Sequence, residues 1–212
     1  MTTNNLDELL EKAKEAFENE QYDVALENIE KATAIDKNDP EIYFIRGLAN
    51  YHLEKNEEAK KDFNRALELN PHDADSYFNL GMISLEEEKV KEAIDLFDKA
   101  ISLDEFAEDV YFLRGNAKAI IDDFEGALAD YNKAIELNDS DEEFYFNRGL
   151  ILSERNKLEE AKDDFSKAIE LDEEFAEAYY YRSLVYDELG DDVNAETDYN
   201  KALELNPDLE EE

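Results

Sequence analysis

The chain has 212 residues, 22 of them basic and 59 acidic, and its formal net charge at pH 7 is −37. A surface with this imbalance repels a phosphate backbone, so nucleic acid is excluded as a ligand. No run of about eighteen apolar residues is present for a membrane span, and the first ten residues resemble no secretory signal. The chain has no cysteine for disulfides or thiolate metal sites. We expect a soluble protein and favour the cytoplasm; adaptation to high salt is an alternative explanation of the acidity.

Small residues recur along the chain every 34 residues. The first row consists of Ala13, Gly47, Gly81, Gly115, Gly149 and Ser183. Two rows of alanine keep the same spacing, Ala25, Ala59, Ala93, Ala127, Ala161 and Ala195 in one and Ala32, Ala66, Ala100, Ala134, Ala168 and Ala202 in the other. These rows divide the chain into six units, 6–39, 40–73, 74–107, 108–141, 142–175 and 176–209, with short tails at 1–5 and 210–212.

A period of 34 with this order of glycine, alanine and aromatic residues resembles the tetratricopeptide repeat family, in which each repeat is a helix-turn-helix hairpin. The resemblance covers nearly the whole chain. It has departures, because the chain has no tryptophan and keeps the closing proline only as Pro71 and Pro207. The resemblance implies an all-α fold, a right-handed superhelical solenoid of six hairpins and about twelve helices. We expect residues 6–209 to form this single solenoid.

The helices begin early in the chain. Asn5 is placed to cap the first helix, with Glu8 three residues later as its capping-box partner. In each unit the first helix presents small residues to the second helix. In the third unit the second helix places Ala93, Phe97 and Ala100 on one stripe, so the ring fills the space that the alanines leave.

Two positions sixteen residues apart change together among the six units. An arginine accompanies an aspartate in four of them, as Arg46 with Asp62, Arg114 with Asp130, Arg148 with Asp164 and Arg182 with Asp198. The third unit has Leu80 and Leu96 at these positions, and the first unit has Lys12 and Asn28. We predict a partly buried ion pair across each hairpin, replaced in the third unit by an apolar contact. An anion-binding row of arginines is the alternative.

Residues with catalytic or metal-binding chemistry are scarce. The two histidines, His52 and His72, have no partner at the spacing of a zinc site or a nucleophile–base pair, and both are predicted at the surface. Residues 138–141 resemble the start of a calcium loop, but the required glycine is replaced by Phe144. We therefore expect no enzyme activity, no metal and no cofactor.

The resemblance also implies a concave groove, lined mainly by the first helices, that holds a peptide or a helix of a partner protein. Carried onto this chain, the fifth place of each unit faces the groove, as Leu10, Phe44, Phe78, Phe112, Phe146 and Tyr180. One helical turn later the ninth place follows, as Lys14, Leu48, Met82, Asn116, Leu150 and Leu184. The second place forms an acidic rim of Asp7, Glu41, Asp75, Asp109, Glu143 and Glu177.

An apolar groove with an acidic rim favours a ligand segment with apolar residues and Lys or Arg. Members of the family that bind the C-terminal tails of chaperones hold the terminal carboxylate with basic and amide residues at these places. Only Lys14 and Asn116 have that chemistry here, so such a clamp is disfavoured. The aromatic row has a second interpretation, in which the rings only pack against neighbouring side chains.

The expected function is a non-catalytic scaffold for protein–protein interaction. The alternatives are a structural or oligomerisation spacer in a larger assembly and an engineered repeat scaffold without a natural ligand. After Leu205 no helix is predicted to cover the final hairpin, although the ends of solenoids need a polar cap. This uncovered end indicates either that the chain is a fragment of a longer protein or that another copy covers the end. For the second case we predict self-association of the C-terminal repeat through Tyr199, Leu203 and Leu205.

Overall fold

The computed structural model describes residues 2–211, with the side chains of residues 5–209. Over these residues the chain forms twelve α-helices and one short 3-10 helix, with no strand. The predicted all-α helical repeat fold is therefore confirmed. None of the described helices combines the length and the apolar character that crossing a membrane requires. The repeat boundaries and the single solenoid over residues 6–209 stay predictions.

The helices divide between two compact units, one ending at Glu105 and the other beginning at Phe106. The first unit contains α1 (Thr2–Glu18), α2 (Tyr22–Ile35), α3 (Pro40–His52), α4 (Asn56–Leu69), α5 (Ala74–Glu86) and α6 (Val90–Leu103). The second contains α7 (Glu108–Ile120), α8 (Phe124–Leu137), α9 (Glu142–Glu154), α10 (Leu158–Leu171), α11 (Ala176–Glu188), α12 (Asp192–Leu205) and the 3-10 helix Pro207–Glu211. In both units consecutive helices pair as three hairpins.

The start of α1 differs from the prediction. The helix begins at Thr2, three residues before Asn5, so the prediction that Asn5 caps it was wrong. The residues before Asn5 include no proline or glycine, and these are the two residue types that strongly disfavour a helix. The helix therefore continues through Asn5 towards the N-terminus.

Each hairpin turns at one residue with a left-handed backbone. These residues are again spaced by 34 and have φ between 58° and 78°, namely Glu20, Glu54, Glu88, Asp122, Asn156 and Gly190. Only the last is a glycine, the residue that adopts this conformation without steric cost. The row of turn residues was therefore not visible as a row of glycines in the sequence.

The two helices of a hairpin approach closely at the small residue of the first row. A Cβ added to Gly149 would lie 2.8 Å from the ring of Phe165, which is fully buried. The same close approach recurs at Gly47 and Phe63, Gly81 and Phe97, and Gly115 and Tyr131. In the first hairpin Ala13 and the smaller Ile29 take these positions, and both are fully buried. Space for the side chain of the second helix thus depends on the size of the residue facing it.

The predicted ion pairs form across four hairpins. Arg148 donates from Nε and Nη2 to the two carboxylate oxygens of the buried Asp164, at 2.7 and 2.6 Å. The same bidentate geometry joins Arg46 to Asp62, Arg114 to Asp130 and Arg182 to Asp198. In the third hairpin Leu80 and Leu96 belong to one apolar cluster. The covariation among the units is therefore explained by physical contact.

The first hairpin does not follow the same scheme. The Nζ of Lys12 donates to Glu8 at 2.6 Å, and the side-chain amide of Asn28 donates to the backbone carbonyl of Val24 at 2.9 Å. Both side chains thus bond within their own helices, because their shorter or single donors do not reproduce the planar fork of an arginine.

The arginines make further contacts that the sequence did not reveal. The guanidinium of Arg148 lies over the ring of Tyr145, 5.7 Å from its centroid. Its Nη1 donates to Asn132 of the preceding hairpin at 2.6 Å, and Nη1 of Arg182 donates to Ser166 at 3.0 Å. The hydrogen bond to Asp164 also raises the pKa of Arg148. Because its donors are used internally, the anion-binding interpretation loses its support.

The end of the chain is more covered than expected. The 3-10 helix Pro207–Glu211 follows α12 and buries Leu209 against Ala176 and Ala202, with Leu203 and Leu205 packed on the same cluster. The expectation that no helix covers this end was therefore wrong in part. Self-association through these residues stays a prediction.

Replacing Gly149 with alanine should lower the free energy of unfolding by about 1–3 kcal/mol, because its Cβ has no room beside Phe165. Denaturant unfolding followed by circular dichroism measures this change. The double variant Gly149→Ala with Phe165→Ile copies the Ala13 and Ile29 pair. Its loss of unfolding free energy should therefore be smaller than the sum of the losses in the two single variants. Strict additivity would contradict the proposed contact.

Removing one partner of an ion pair should cost more than removing both. We expect Arg148→Leu to lower the free energy of unfolding by about 3–5 kcal/mol, because Asp164 is left buried without its partner. Arg148→Leu with Asp164→Leu copies Leu80 and Leu96 and should recover most of that loss. A double variant as unstable as the single one in chemical denaturation would show that the pair itself stabilises the hairpin.

Candidate functional site

The predicted groove residues form one stripe along each first helix. In α9 the stripe consists of Glu143, Phe146 and Leu150. Steps of three and four residues place these side chains on the same helix face. The first helix of every hairpin carries the corresponding three residues. We call them the groove stripe and describe them separately for the two compact units.

The rings at the fifth place of the units are packed on one side. Each lies against a ring of the second helix in its own hairpin, at centroid distances of 5.8 to 6.3 Å, as Phe44 with Phe63, Phe78 with Phe97, Phe112 with Tyr131, Phe146 with Phe165 and Tyr180 with Tyr199. Leu10 and Phe112 are buried, and the other four remain partly exposed. The packing interpretation therefore applies to one side of these rings, while Phe44, Phe78, Phe146 and Tyr180 keep some surface exposed.

The ninth places differ in what they offer. Leu48, Met82 and Leu150 are partly buried, and Leu184 is 43% exposed. The two polar residues are held by other protein groups. Lys14 pairs with Glu41 at 2.5 Å, and the amide oxygen of Asn116 accepts from the hydroxyl of Tyr131 at 2.8 Å. Neither side chain is therefore poised to bind a terminal carboxylate.

The second compact unit, which begins at Phe106, carries a larger aromatic surface than the sequence indicated. The ring of Phe146 lies 4.7 Å from Phe175 and 5.6 Å from Tyr181. Tyr181 is 37% exposed and meets Tyr180 edge-on at 5.5 Å. These four rings form a continuous surface from α9 to α11. Phe175 and Tyr181 were missed because only the second, fifth and ninth places were followed along each unit.

Ile120 is a further apolar residue on the groove stripe of α7. It lies one turn beyond Asn116 and is 65% exposed, whereas α9 and α11 have Glu154 and Glu188 at the corresponding place. The step of four residues that leads from Phe112 to Asn116 also leads to Ile120. This spacing was the available signal, and the stripe of α7 therefore ends on an apolar side chain.

The rim carboxylates lie in unfavourable surroundings for a negative charge. Although solvent reaches them, partial burial raises the pKa of Asp75, Asp109 and Glu143, and the charges of neighbouring carboxylates raise it further. Asp141 acts on both Asp109 and Glu143. A positive charge placed between these groups would relieve the repulsion.

The histidines and residues 138–141 have structural explanations. Both histidines are exposed, as predicted, and the ring of His52 stacks on Tyr22 at 5.0 Å. Asp141 accepts from the backbone N–H of Glu143 at 2.9 Å as the cap of α9. Asn138 accepts from the backbone N–H of Ser140 at 3.1 Å. The run that resembles a calcium loop is thus the turn between α8 and α9.

Solved structures with a similar fold include three that match most of this chain. YrrB, described as a TPR protein with an unusual peptide-binding site, has 28% identity and a TM-score of 0.76, covering 85% of this chain and 93% of that chain. PilF of Pseudomonas aeruginosa has 14% identity and a TM-score of 0.84, covering 97% and 94%. MamA has 23% identity and a TM-score of 0.72, covering 78% and 97%. The last two show likeness of fold alone.

Comparison at the level of sequence families gives a consistent result. Five profiles described as tetratricopeptide repeat or TPR repeat match residues 15–78, 53–109, 122–154, 142–175 and 176–209. A search of curated proteins gives no match. The profiles, the 34-residue period and the paired helices agree, and the chain belongs to the tetratricopeptide repeat family.

Proposed function

We propose that the groove stripe binds an extended segment of a partner protein that carries apolar and basic residues. Proteins of this family typically act as non-catalytic interaction scaffolds. The proposal of a peptide ligand rests on the continuous, partly exposed aromatic surface of the second compact unit. This surface is formed by Phe146, Phe175, Tyr180 and Tyr181.

The rings supply the apolar part of the interaction. Phe146 is fixed on one side by Phe165 at 5.8 Å and by Phe175 at 4.7 Å. A ring already held by its neighbours loses little conformational freedom when a ligand covers its other side. Rigid, partly exposed aromatic residues of this kind are typical anchors of binding surfaces. An apolar side chain of the ligand should therefore lie over Phe146 and Tyr181.

The rim supplies the charge preference. Asp109 and Glu143 carry carboxylates whose pKa is raised by burial and by other acids, so a Lys or Arg of the ligand would be attracted and an acidic segment repelled. With a net charge of −37, the same preference acts at long range and speeds association with basic segments. The similar protein YrrB is described as having a peptide-binding site, which supports a peptide as the ligand class.

Selection from a random peptide library tests the proposal directly. We expect enriched peptides to combine apolar residues with Lys or Arg, and their binding to weaken at least about tenfold in Tyr181→Lys. Because Tyr181 is 37% exposed, this variant should fold. Phe146→Ala serves as a second variant that removes surface without adding charge.

The matched control is Ala129→Lys, which adds the same charge at an exposed position of α8. Binding to this control should stay within about twofold of the wild type. Failure to enrich any peptide would favour the spacer or ligand-free scaffold. Equal weakening in Tyr181→Lys and the control would mean that general electrostatics, and not the groove stripe, selects the peptides.

Acidification should affect binding and folding in opposite directions. Because the pKa values of Asp75, Asp109 and Glu143 are raised in the folded chain, these groups bind protons more readily folded than unfolded. The stability that these groups contribute should therefore increase as pH is lowered into the range in which the three carboxylates bind protons, and it should decrease again as pH is raised. Affinity for a basic peptide should decrease over the same range as the rim is neutralised. Thermal melts and peptide titrations across a series of falling pH values measure the two effects, and parallel changes would contradict the assignment.

A further inference from the structure

An ion pair within the groove stripe shows how a lysine meets a rim carboxylate. Lys14, at the ninth place of the first repeat, lies 2.5 Å from Glu41, the rim residue of the next first helix, measured from Nζ to Oε1. The hydrogen bond to Glu41 raises the pKa of Lys14, and the charge of Asp39 adds to this effect. The side chains of Lys14 and Glu41 are 44% and 42% exposed. An ammonium group can therefore sit on the rim of this chain while solvent still reaches it.

The two carboxylates around Lys14 recur three repeats later in the sequence. Asp141 and Glu143 take the places of Asp39 and Glu41. The local geometry recurs too, because each aspartate caps its helix by accepting from the backbone N–H of the glutamate, at 2.9 Å in both cases. The other rim residues do not combine a capping aspartate with a glutamate, the corresponding pairs being Asn5 with Asp7, Asp73 with Asp75, Ala107 with Asp109 and Phe175 with Glu177. The arrangement is thus specific to two repeats and does not follow from the general acidity of the chain.

The place of Lys14 is taken by Asn116 in the second copy of this arrangement. The remaining rim residues follow apolar residues at the ninth place, Leu48 before Asp75, Met82 before Asp109 and Leu150 before Glu177. The amide oxygen of Asn116 is held by the hydroxyl of Tyr131 at 2.8 Å and keeps a second lone pair. Glu143 therefore has, at the place of Lys14, a polar residue without a positive charge.

The basic residues of α7 and α9 do not supply this charge. Their side chains pair with aspartates of the second helices, Arg114 and Lys118 with Asp130 and Arg148 with Asp164. Burial raises the pKa of Glu143, and the charges of Asp141 and Glu142 raise it further. A cation brought to Glu143 from outside the chain would relieve this repulsion.

We propose that Asn116, Asp141 and Glu143 form a subsite for one lysine side chain of the bound partner segment. Its ammonium group takes the place that Lys14 takes beside Asp39 and Glu41. The three donors of an ammonium group match two carboxylates and one amide oxygen. A hydrogen bond between two charged groups is also stronger than a neutral one.

The subsite deepens the proposed function and rests on it for the identity of the ligand. Glu143 and Phe146 lie three residues apart on the groove stripe of α9, which places them on the same helix face. A lysine held at Glu143 therefore brings the neighbouring residues of the ligand to the aromatic surface. The net charge of −37 attracts cations to the whole chain, whereas the subsite holds one ammonium group at one place.

The first experiment uses the full chain, labelled with nitrogen-15, and N-acetyl-lysine amide as the probe. N-acetyl-norleucine amide, which lacks the ammonium group, is the matched compound. At about 150 mM salt, where long-range charge interactions are largely screened, we expect saturable shifts at the side-chain amide of Asn116 and the backbone amide of Glu143. The norleucine compound should bind at least about fivefold more weakly. Shifts at Glu177, whose rim place follows Leu150, should be smaller.

Three variants locate the probe. Glu143→Gln removes the charge and keeps the shape, so the lysine compound should bind at least about fivefold more weakly. Glu125→Gln makes the same change at an exposed position of α8 and should leave binding within about twofold. Lys14→Asn reproduces Asn116 in the first repeat, so the lysine compound should gain a second site with new shifts at Glu41. Thermal melts check that each variant keeps its fold.

Several results would overturn the subsite. They are the absence of saturable shifts at Glu143, equal weakening in Glu143→Gln and Glu125→Gln, and the absence of a second site in Lys14→Asn. Selected peptides that bind Glu143→Gln as well as the wild type would remove the subsite and leave the proposed function standing. Saturable binding of the lysine compound at Glu143 without any enriched peptide would support the subsite and remove the peptide as the ligand.

Discussion

The contact on which the rest of the structure depends in four of the six hairpins is the packing of one ring against one glycine. The ring of Phe165 occupies the space that a side chain at Gly149 would need, and it also meets Phe146 at 5.8 Å. The buried ring therefore fixes both the approach of the two helices and the position of a surface ring three residues before the glycine. In this way core packing sets the geometry of the binding surface, because close-packed interiors transmit small displacements to their neighbours.

The buried ion pairs add orientation more than stability. A salt bridge removed from water gives back much of its Coulomb energy as desolvation cost, and the third hairpin manages with Leu80 and Leu96 in its place. What leucine cannot supply is the third contact of the guanidinium, by which Arg148 reaches Asn132 and Arg182 reaches Ser166 in the preceding hairpin. Arg148 and Arg182 thus tie neighbouring hairpins together through directional hydrogen bonds.

Repetition decided what could be predicted from the sequence. The six units act as an internal alignment, so the exchange of an Arg–Asp pair for Leu80 and Leu96 was enough to predict a contact across the hairpin. Features present in one unit gave no such signal. Tyr181 takes a place held by Asn147 in the preceding unit, and Leu209, the last residue of the sixth unit, takes a place held by Asp141 in the fourth. The turn residues with positive φ also recur every 34 residues, but they were missed because a glutamate such as Glu20 gives no sequence signal for a positive φ.

Charge alone does not select a ligand for the groove stripe, since the whole chain attracts cations. The apolar part of the surface is more selective. Four of the residues at the fifth place remain partly exposed, and in the second compact unit two of them, Phe146 and Tyr180, join Phe175 and Tyr181 in a continuous surface. Selectivity must therefore come from shape, with electrostatics governing the rate of encounter.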